Sequence, residues 1–253
     1  MITVKIISDY INKIAPYNTK CEWDNCGILV GDEDKEIKKI ALCLDLTSET
    51  LSQAKEYKAD LIITHHPIIF KAQKSFTKGN LSYELAVSGI SAISAHTCFD
   101  CADGGVNDVL CEILGIKKVQ GVPSAECDVP MARIGEIEST DSMDFADFVS
   151  KKLGTVCRVV DCGNTVNKVA VCGGAGMDFL PDVINSGADA YVTGDISHHQ
   201  MLDAKEKGIT VIAAGHFESE MPSMGRLMGM IKKAFPSIEI TVLRQSNPVK
   251  FIG

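Results

Sequence analysis

The chain has no basic excess: 25 Lys and Arg face 33 Asp and Glu, giving a formal charge of -8 and a pI near 5.3. Such a surface does not attract a phosphate backbone, so nucleic acid is not an expected partner. No apolar run approaches the length that spans a bilayer, so no membrane partner is expected either. The opening, MITVKIISDYINKIAP, mixes charged residues among its apolar ones and lacks an apolar h-region, so it does not read as a signal peptide. Together these features imply a cytoplasmic protein. Aromatics are sparse at 6%, with Trp23 the single tryptophan. Cysteine is not scarce, at ten, but the CxxC pair of Cys98 and Cys101 in HTCFDC has no second such pair to complete a structural zinc site. Cys43 in IALCLDL and Cys172 in VAVCGG sit in apolar strands, where a thiol behaves as a small hydrophobe.

What remains is the composition of a globular protein, 45% apolar and 23% charged. Its 253 residues suffice for one large domain or two ordinary ones. In the first half, the apolar strands IKKIALCLDL, DLIITHH and ISAISAHT alternate with helical patterns in TSETLSQAKEYKA, NLSYELAVSGI and GGVNDVLCEILG. Alternation of this kind predicts an α/β fold with mostly parallel sheets covered by helices. The segment QGVPSAECDVPMARIG, with Pro123 and Pro130, breaks the rhythm and divides the chain into lobes of residues 1–122 and 123–253. Beyond it, ARIGEI, VCRVVDC, KVAVCGG, ADAYVTGD, TVIAAGH and IEITVL read as strands. Helices are predicted near MDFADFVSKKLG, FLPDVINSG and HHQMLDAKEKG. A long one follows in ESEMPSMGRLMGMIKKAF, and it can pack back on the first lobe.

Ligands of open parallel sheets collect at the carboxyl ends of strands. Asp45, His65, His66, His96, Asp195 and His216 all fall just past predicted strands. One histidine so placed would be read as structural, but six histidines in three short stretches are not. Histidine with carboxylate is the donor set of zinc, manganese or iron. Asp100 lies four residues after His96, and Glu220 four after His216. If GHFESE opens a helix, His216 and Glu220 share a face and Glu218 points elsewhere. In THHP, Pro67 ends the regular ladder, so His65 and His66 need not oppose each other as strand neighbours do. They can then serve two ions ~3.5–4 Å apart, as in dinuclear hydrolases. The glycine-rich VCGGAGMD lacks the GK[ST] ending of a P-loop and reads as a tight turn.

The blocks WDNCGILVGD, DLIITHHPIIF, SAHTCFDCADGGVND, GDISHHQMLDAKEKGI and AAGHFESE resemble, in order, the signatures of the Nif-three-like family. Its bacterial and archaeal members are often labelled type 2 homologues of GTP cyclohydrolase I. The resemblance implies a two-lobed α/β subunit with a dinuclear site in the cleft between lobes, assembled into a homohexameric ring. It implies metal ligands at His65, His66, Asp100, His216 and Glu220, with His65 beside Asp100, His66 beside His216, and Glu220 spanning two divalent ions (Zn, Mn or Fe). His96 resembles the family's other site-lining histidine, a catalytic residue moving protons or supporting the ligands. The resemblance places Trp23, Asp24 and Asn25 near the cleft as substrate-binding residues; the plainer reading makes Trp23 a buried loop anchor. His199 is a further substrate contact, or simply a polar helix start with His198. The stretch between Asp100 and His216 is too short for the inserted middle domain of some members. The sequence departs from the family at Asp195, where Glu is usual, and at Cys26, Cys98 and Cys101, where cysteine is not. The implied function is a metal-dependent hydrolase using a metal-bridging hydroxide on GTP, another nucleotide or a phosphoester. The alternatives are a non-catalytic metal-binding scaffold or regulatory protein and, last, a thiol redox protein using Cys98 and Cys101.

Overall fold

In the computed structural model, which describes residues 1–124, 128–250 and 252, the chain forms two α/β units. One comprises Met1–Asp103 with Met224–Ser246, the other Gly104–Ser223 with Asn247–Gly253. The first unit contains α1 (Val4–Ile14), β1 (Gly27–Val30), β2 (Lys39–Cys43), α2 (Ser48–Tyr57), β3 (Leu61–Thr64), α3 (Leu81–Val87), β4 (Ser91–Ser94) and α4 (Thr97–Asp100). The second contains α5 (Val106–Ile113), β5 (Lys117–Val122), β6 (Ala132–Asp141), α6 (Ser142–Leu153), β7 (Arg158–Val160) and β8 (Thr165–Cys172). It continues with α7 (Leu180–Asn185), β9 (Ala190–Thr193), α8 (His198–Glu206), β10 (Thr210–Ala213) and α9 (His216–Glu220). From Met224 onward, α10 (Pro222–Ala234) and then β11 (Glu239–Val242) belong to the first unit.

Both sheets are mixed, and each has a parallel middle. The first runs β1-β4-β3-β2-β11, with only the β1–β4 pairing antiparallel. The second runs β5-β6-β8-β9-β10-β7, with β8, β9 and β10 parallel and the outer pairings antiparallel. The middle strands read as unbroken apolar runs because both their faces are covered. Val169 and Val171 of β8 join a core with Leu110 of α5 and with Phe145 and Val149 of α6. The alternate residues Ala170 and Cys172 join another with Leu180 and Val183 of α7 and Ala204 of α8. In the first unit, Ala41, Ile62 and Ala92 pack with Leu51 and Ala54 of α2 and Leu85 of α3.

Register then sets the position of the site residues. Cys43 of β2 pairs with Thr64 of β3, and Thr64 with Ser94 of β4, so three parallel strands end level. In the second unit Cys172, Thr193 and Ala213 end level in the same way. The residues just past these ends therefore lie along one edge of each sheet.

Several elements lie where the sequence pattern marked none. Helix α1 starts at the cap of Thr3, whose hydroxyl accepts the Ile6 N–H at 3.4 Å, and buries Val4, Ile7 and Ile11. Strand β5 occupies part of the proline-marked break, whose residues 125–127 lie outside the described residues. The expected long helix is two, since α9 ends at Glu220 and Pro222 opens α10 with its φ already helical. Among the described residues, no helix is long and apolar enough to cross a membrane.

Ile62 sits fully buried in the middle strand β3. Ile62→Ala is expected to cost about 2–5 kcal/mol, measured as a lowered urea midpoint for the first unit by circular dichroism.

Candidate metal centre

The end of β3 answers how two successive histidines serve one place. The ladder to β2 continues for two bonds, His65 N–H to Cys43 O at 3.2 Å and His66 N–H to Leu44 O at 3.0 Å. Thr64 then folds back, its hydroxyl donating to the His66 carbonyl at 2.7 Å, and Pro67 follows. The His65 and His66 rings lie 5.1 Å apart, and the His96 ring lies 5.2 and 5.4 Å from them. One ligand atom from each of the three falls within 4.8 Å of the others.

Each ring is held by its Nδ1. His65 Nδ1 lies 2.9 Å from the Ala95 carbonyl, which can only accept. His66 Nδ1 lies 2.6 Å from Asp45 Oδ1, and His96 Nδ1 lies 2.9 Å from Asp24 Oδ1. With Nδ1 donating in all three, the lone pair of each neutral ring is on Nε2. His65 Nε2 faces Asp100 Oδ1 at 3.4 Å. Asp24 is itself gripped, by the Asn25 and Thr97 N–H groups, the Thr97 hydroxyl and the Cys26 thiol. Burial opposes its charge, but His96, Thr97 and Cys26 outweigh that and hold its carboxyl well below the usual range.

The second unit repeats the plan at the ends of β9 and β10. His216 opens α9, and its Nδ1 lies 2.6 Å from Asp195 Oδ2. One helical turn later, Glu220 places Oε2 3.2 Å from His216 Nε2. Burial pushes His216 toward its neutral form, yet Asp195 and Glu220 prevail and raise its pKa to about 10. This pocket favours positive charge, and a divalent ion supplies more of it than a proton. Glu218 is turned away, accepting from Asn247 Nδ2 at 2.9 and 3.0 Å. The backbone of Gly174, at φ +61, lies so close that a Cβ there would sit 2.1 Å from Glu220 Oε1 and 3.1 Å from His216 Nε2. The tight turn in VCGGAGMD is thus also a requirement of the pocket.

These donors fit a transition metal. Two ligand atoms about 2.0–2.2 Å from a tetrahedral ion lie roughly 3.3–3.6 Å apart, close to the 3.4 Å of His65 with Asp100 and the 3.2 Å of His216 with Glu220. Histidines anchored through Nδ1 by a carboxylate or carbonyl are the usual support of metal ligands. Within the first unit the structure brings His65, His66, His96 and Asp100 together, and within the second His216 and Glu220.

The remaining candidates differ in setting. Asp24 is buried and occupied in orienting His96. Asn25 donates through Nδ2 to the Ile69 carbonyl at 2.7 Å, tying its loop to the segment after Pro67. Trp23 is no buried anchor: it is 59% exposed, with its ring 5.8 Å from His96 and 5.7 Å from Phe70. His199 is exposed in the first turn of α8, where the Ser197 hydroxyl lies 3.1 Å from its Nδ1. Sequence reasoning gave no role to Asp45 and read Asp24 as a substrate contact, although both act here as histidine supports. The signal for Asp45 was its place two residues past a strand end, which Asp195 shares. Asp195 also borders a pocket of 360 Å³ lined by Arg158, Asp178 and Gln200.

Comparison with known proteins follows the same residues. The family model Duf34/NIF3 (NGG1p interacting factor 3) matches residues 2–248. A Clostridium perfringens protein named GTP cyclohydrolase 1 type 2 homolog is 34% identical over 257 residues, covering 97% of this chain and 98% of that one. A hypothetical protein of Staphylococcus aureus has a similar crystal structure, with TM-score 0.90, 25% identity and 99% coverage of both chains. Reduced HcgD from Methanocaldococcus jannaschii is similar at TM-score 0.83 and 29% identity, covering 96% of this chain and 98% of that one.

Asp195→Ala removes the acceptor that fixes the His216 ring and is expected to weaken zinc binding about 10–100-fold, read by competition with a chelating dye. Gly174→Ala forces Glu220 aside, and the same assay should show at least about a tenfold loss while circular dichroism stays unchanged.

Proposed function

Because this chain belongs to the Duf34/NIF3 family, we propose that it is a divalent-metal-dependent hydrolase acting on a nucleotide or related phosphoester. The observation that carries this reading is the shared Nδ1 anchoring of His65, His66, His96 and His216, which makes Nε2 of each ring the ligating nitrogen. The proposed ligands are His65, His66 and Asp100 in the first unit and His216 and Glu220 in the second. Bound there, divalent ions (Zn, Mn or Fe), two per chain, would be held by the imidazoles and carboxylates of these residues.

When bound, such ions acidify a water near neutral pH and polarise the bond under attack. The chain's own residues do the rest. Asp45 and Asp195 keep His66 and His216 in the ligating tautomer. Asp24 does the same for His96, whose Nε2 can accept a proton from the nucleophile or return one to the leaving group. Trp23 and Phe70 offer exposed aromatic surface beside His96 for a planar base, with Asn25 fixing their loops. His199 contributes a further substrate contact from α8. The name of the Clostridium relative suggests GTP as one substrate, and phosphoester hydrolysis suits the same donors equally. The protein works in the cytoplasm as a homohexamer, with a light-scattering mass about six times 27.3 kDa.

The test is a nucleotide and phosphoester screen on protein loaded with Mn²⁺ or Zn²⁺, with metal content measured alongside. Two ions per chain are expected, with turnover lost by about 100-fold or more in His65→Ala and Glu220→Gln. Two bound ions without turnover on any substrate would make the protein a metal-binding scaffold instead.

A further inference from the structure

The sulfurs of Cys26 and Cys98 lie 3.4 Å apart inside the first unit. We propose that these two thiols are an oxidation site that closes into a reversible disulfide under peroxide. The pair does not depend on the hydrolase reading, and it is not the CxxC pair. Cys101 Sγ instead contacts the Thr19 hydroxyl and the Cys98 carbonyl, each at 3.4 Å.

The backbone already holds the two thiols together. Cys26 immediately precedes β1, where Gly27 pairs with Ser94 at the end of β4. Cys98 lies in α4, which begins three residues beyond Ser94. The His96 N–H, between the two, reaches Cys26 Sγ at 3.4 Å. An S–S bond is about 2.05 Å long, so closure asks the sulfurs to approach by roughly 1.4 Å, within reach of side-chain rotation.

Burial assigns the order of events. Cys26 is partly exposed and Cys98 fully buried, so Cys26 meets the oxidant first. The Cys26 thiol ionises, its thiolate attacks one oxygen of hydrogen peroxide, the O–O bond breaks, and the departing hydroxide takes up the proton released on ionisation to form water. This leaves a sulfenic acid at Cys26. The Cys98 sulfur then attacks the Cys26 sulfur, the S–O bond breaks, and the oxygen leaves as water with the Cys98 proton. Two thiols lose two electrons, peroxide gains them, and two waters form. In the reduced protein the Cys26 thiol donates to Asp24 Oδ2 at 3.2 Å, the carboxylate that also holds His96. The disulfide has no such proton, so oxidation removes one support of the Asp24–His96 pair.

The test is peptide mapping of the full-length protein after peroxide treatment and alkylation. Trypsin isolates residues 21–35 and 79–117, which carry Cys21 and Cys26, and Cys98, Cys101 and Cys111. The expected product is these two peptides linked with the loss of two hydrogens, and fragment ions placing the bond between Cys26 and Cys98. Dithiothreitol should release it, the thiol titre should fall by two per chain, and Cys26→Ser should not form it. A bond from Cys98 to Cys101, a sulfinic acid at Cys26 with Cys98 alkylated, or no oxidation of either residue would overturn the proposal. The wild-type map decides the matter by itself, whatever a substitution at buried Cys98 does to folding.

Discussion

A neutral imidazole has one lone pair, and the group that accepts the proton of one ring nitrogen decides where that lone pair points. In this protein the partner of Nδ1 is an acceptor for His65, His66, His96 and His216 alike: a backbone carbonyl in the first case and Asp45, Asp24 and Asp195 in the others. Everything else about the candidate centre depends on that constraint. It puts Nε2 of His65 opposite Asp100 and Nε2 of His216 opposite Glu220, each imidazole–carboxylate pair spaced to hold a cation, be it a proton or a metal ion. The carboxylates that do the anchoring also raise the negative potential, which shows in the strong proton affinity of His216.

The anchoring is possible because parallel strands end level. Asp45 can reach His66 because β2 and β3 finish in register, at Cys43 and Thr64. Ala95 can accept from His65 because β4 finishes beside β3, with the Ala95 N–H still bonded to Thr64 O. The second sheet places Gly174, Asp195 and His216 by the same rule. A sheet edge thus works as a ruler: residues far apart in the sequence come together because each lies one to three positions past its strand. The cores on both faces hold the ruler straight, so core packing and site geometry are linked.

That rule is also why much of the site was legible before any coordinates. Apolar runs marked the strands, and the placement of polar residues just past them marked the edge. The spacing from His216 to Glu220 gave their shared helical face. What stayed hidden was whatever needed pairing across the sequence. Strand β5 is an exposed edge strand without apolar alternation, so it carries no local pattern. In α1 the signal was present, as apolar positions at 4, 7 and 11 behind a Thr cap, but it was weakened by β-branched residues of low helix propensity. Asp24 is separated by 72 residues from His96, and no short motif announces that its carboxylate faces inward to a ring rather than outward to a substrate.

Asp195 shows how close backbone approach lets a short acid serve as the anchor. The resemblance to the family leads one to expect Glu here, one methylene longer, and a shorter acid should fall short of His216. It does not: the carboxylate reaches His216 Nδ1 from a segment held close to its neighbours. The N–H groups of Gly194 and Asp195 both donate to the Gly174 carbonyl at 2.9 Å. Gly194 has no side chain to hold its neighbours off: a Cβ there would stand 2.6 Å from Gly174 O and 2.8 Å from the Cα of His216. With the β9 end pressed this close to the start of α9, an aspartate reaches the Nδ1 of His216 at 2.6 Å. The requirement at this position is therefore an acceptor at a fixed point, which the aspartate meets because the backbone carries it there.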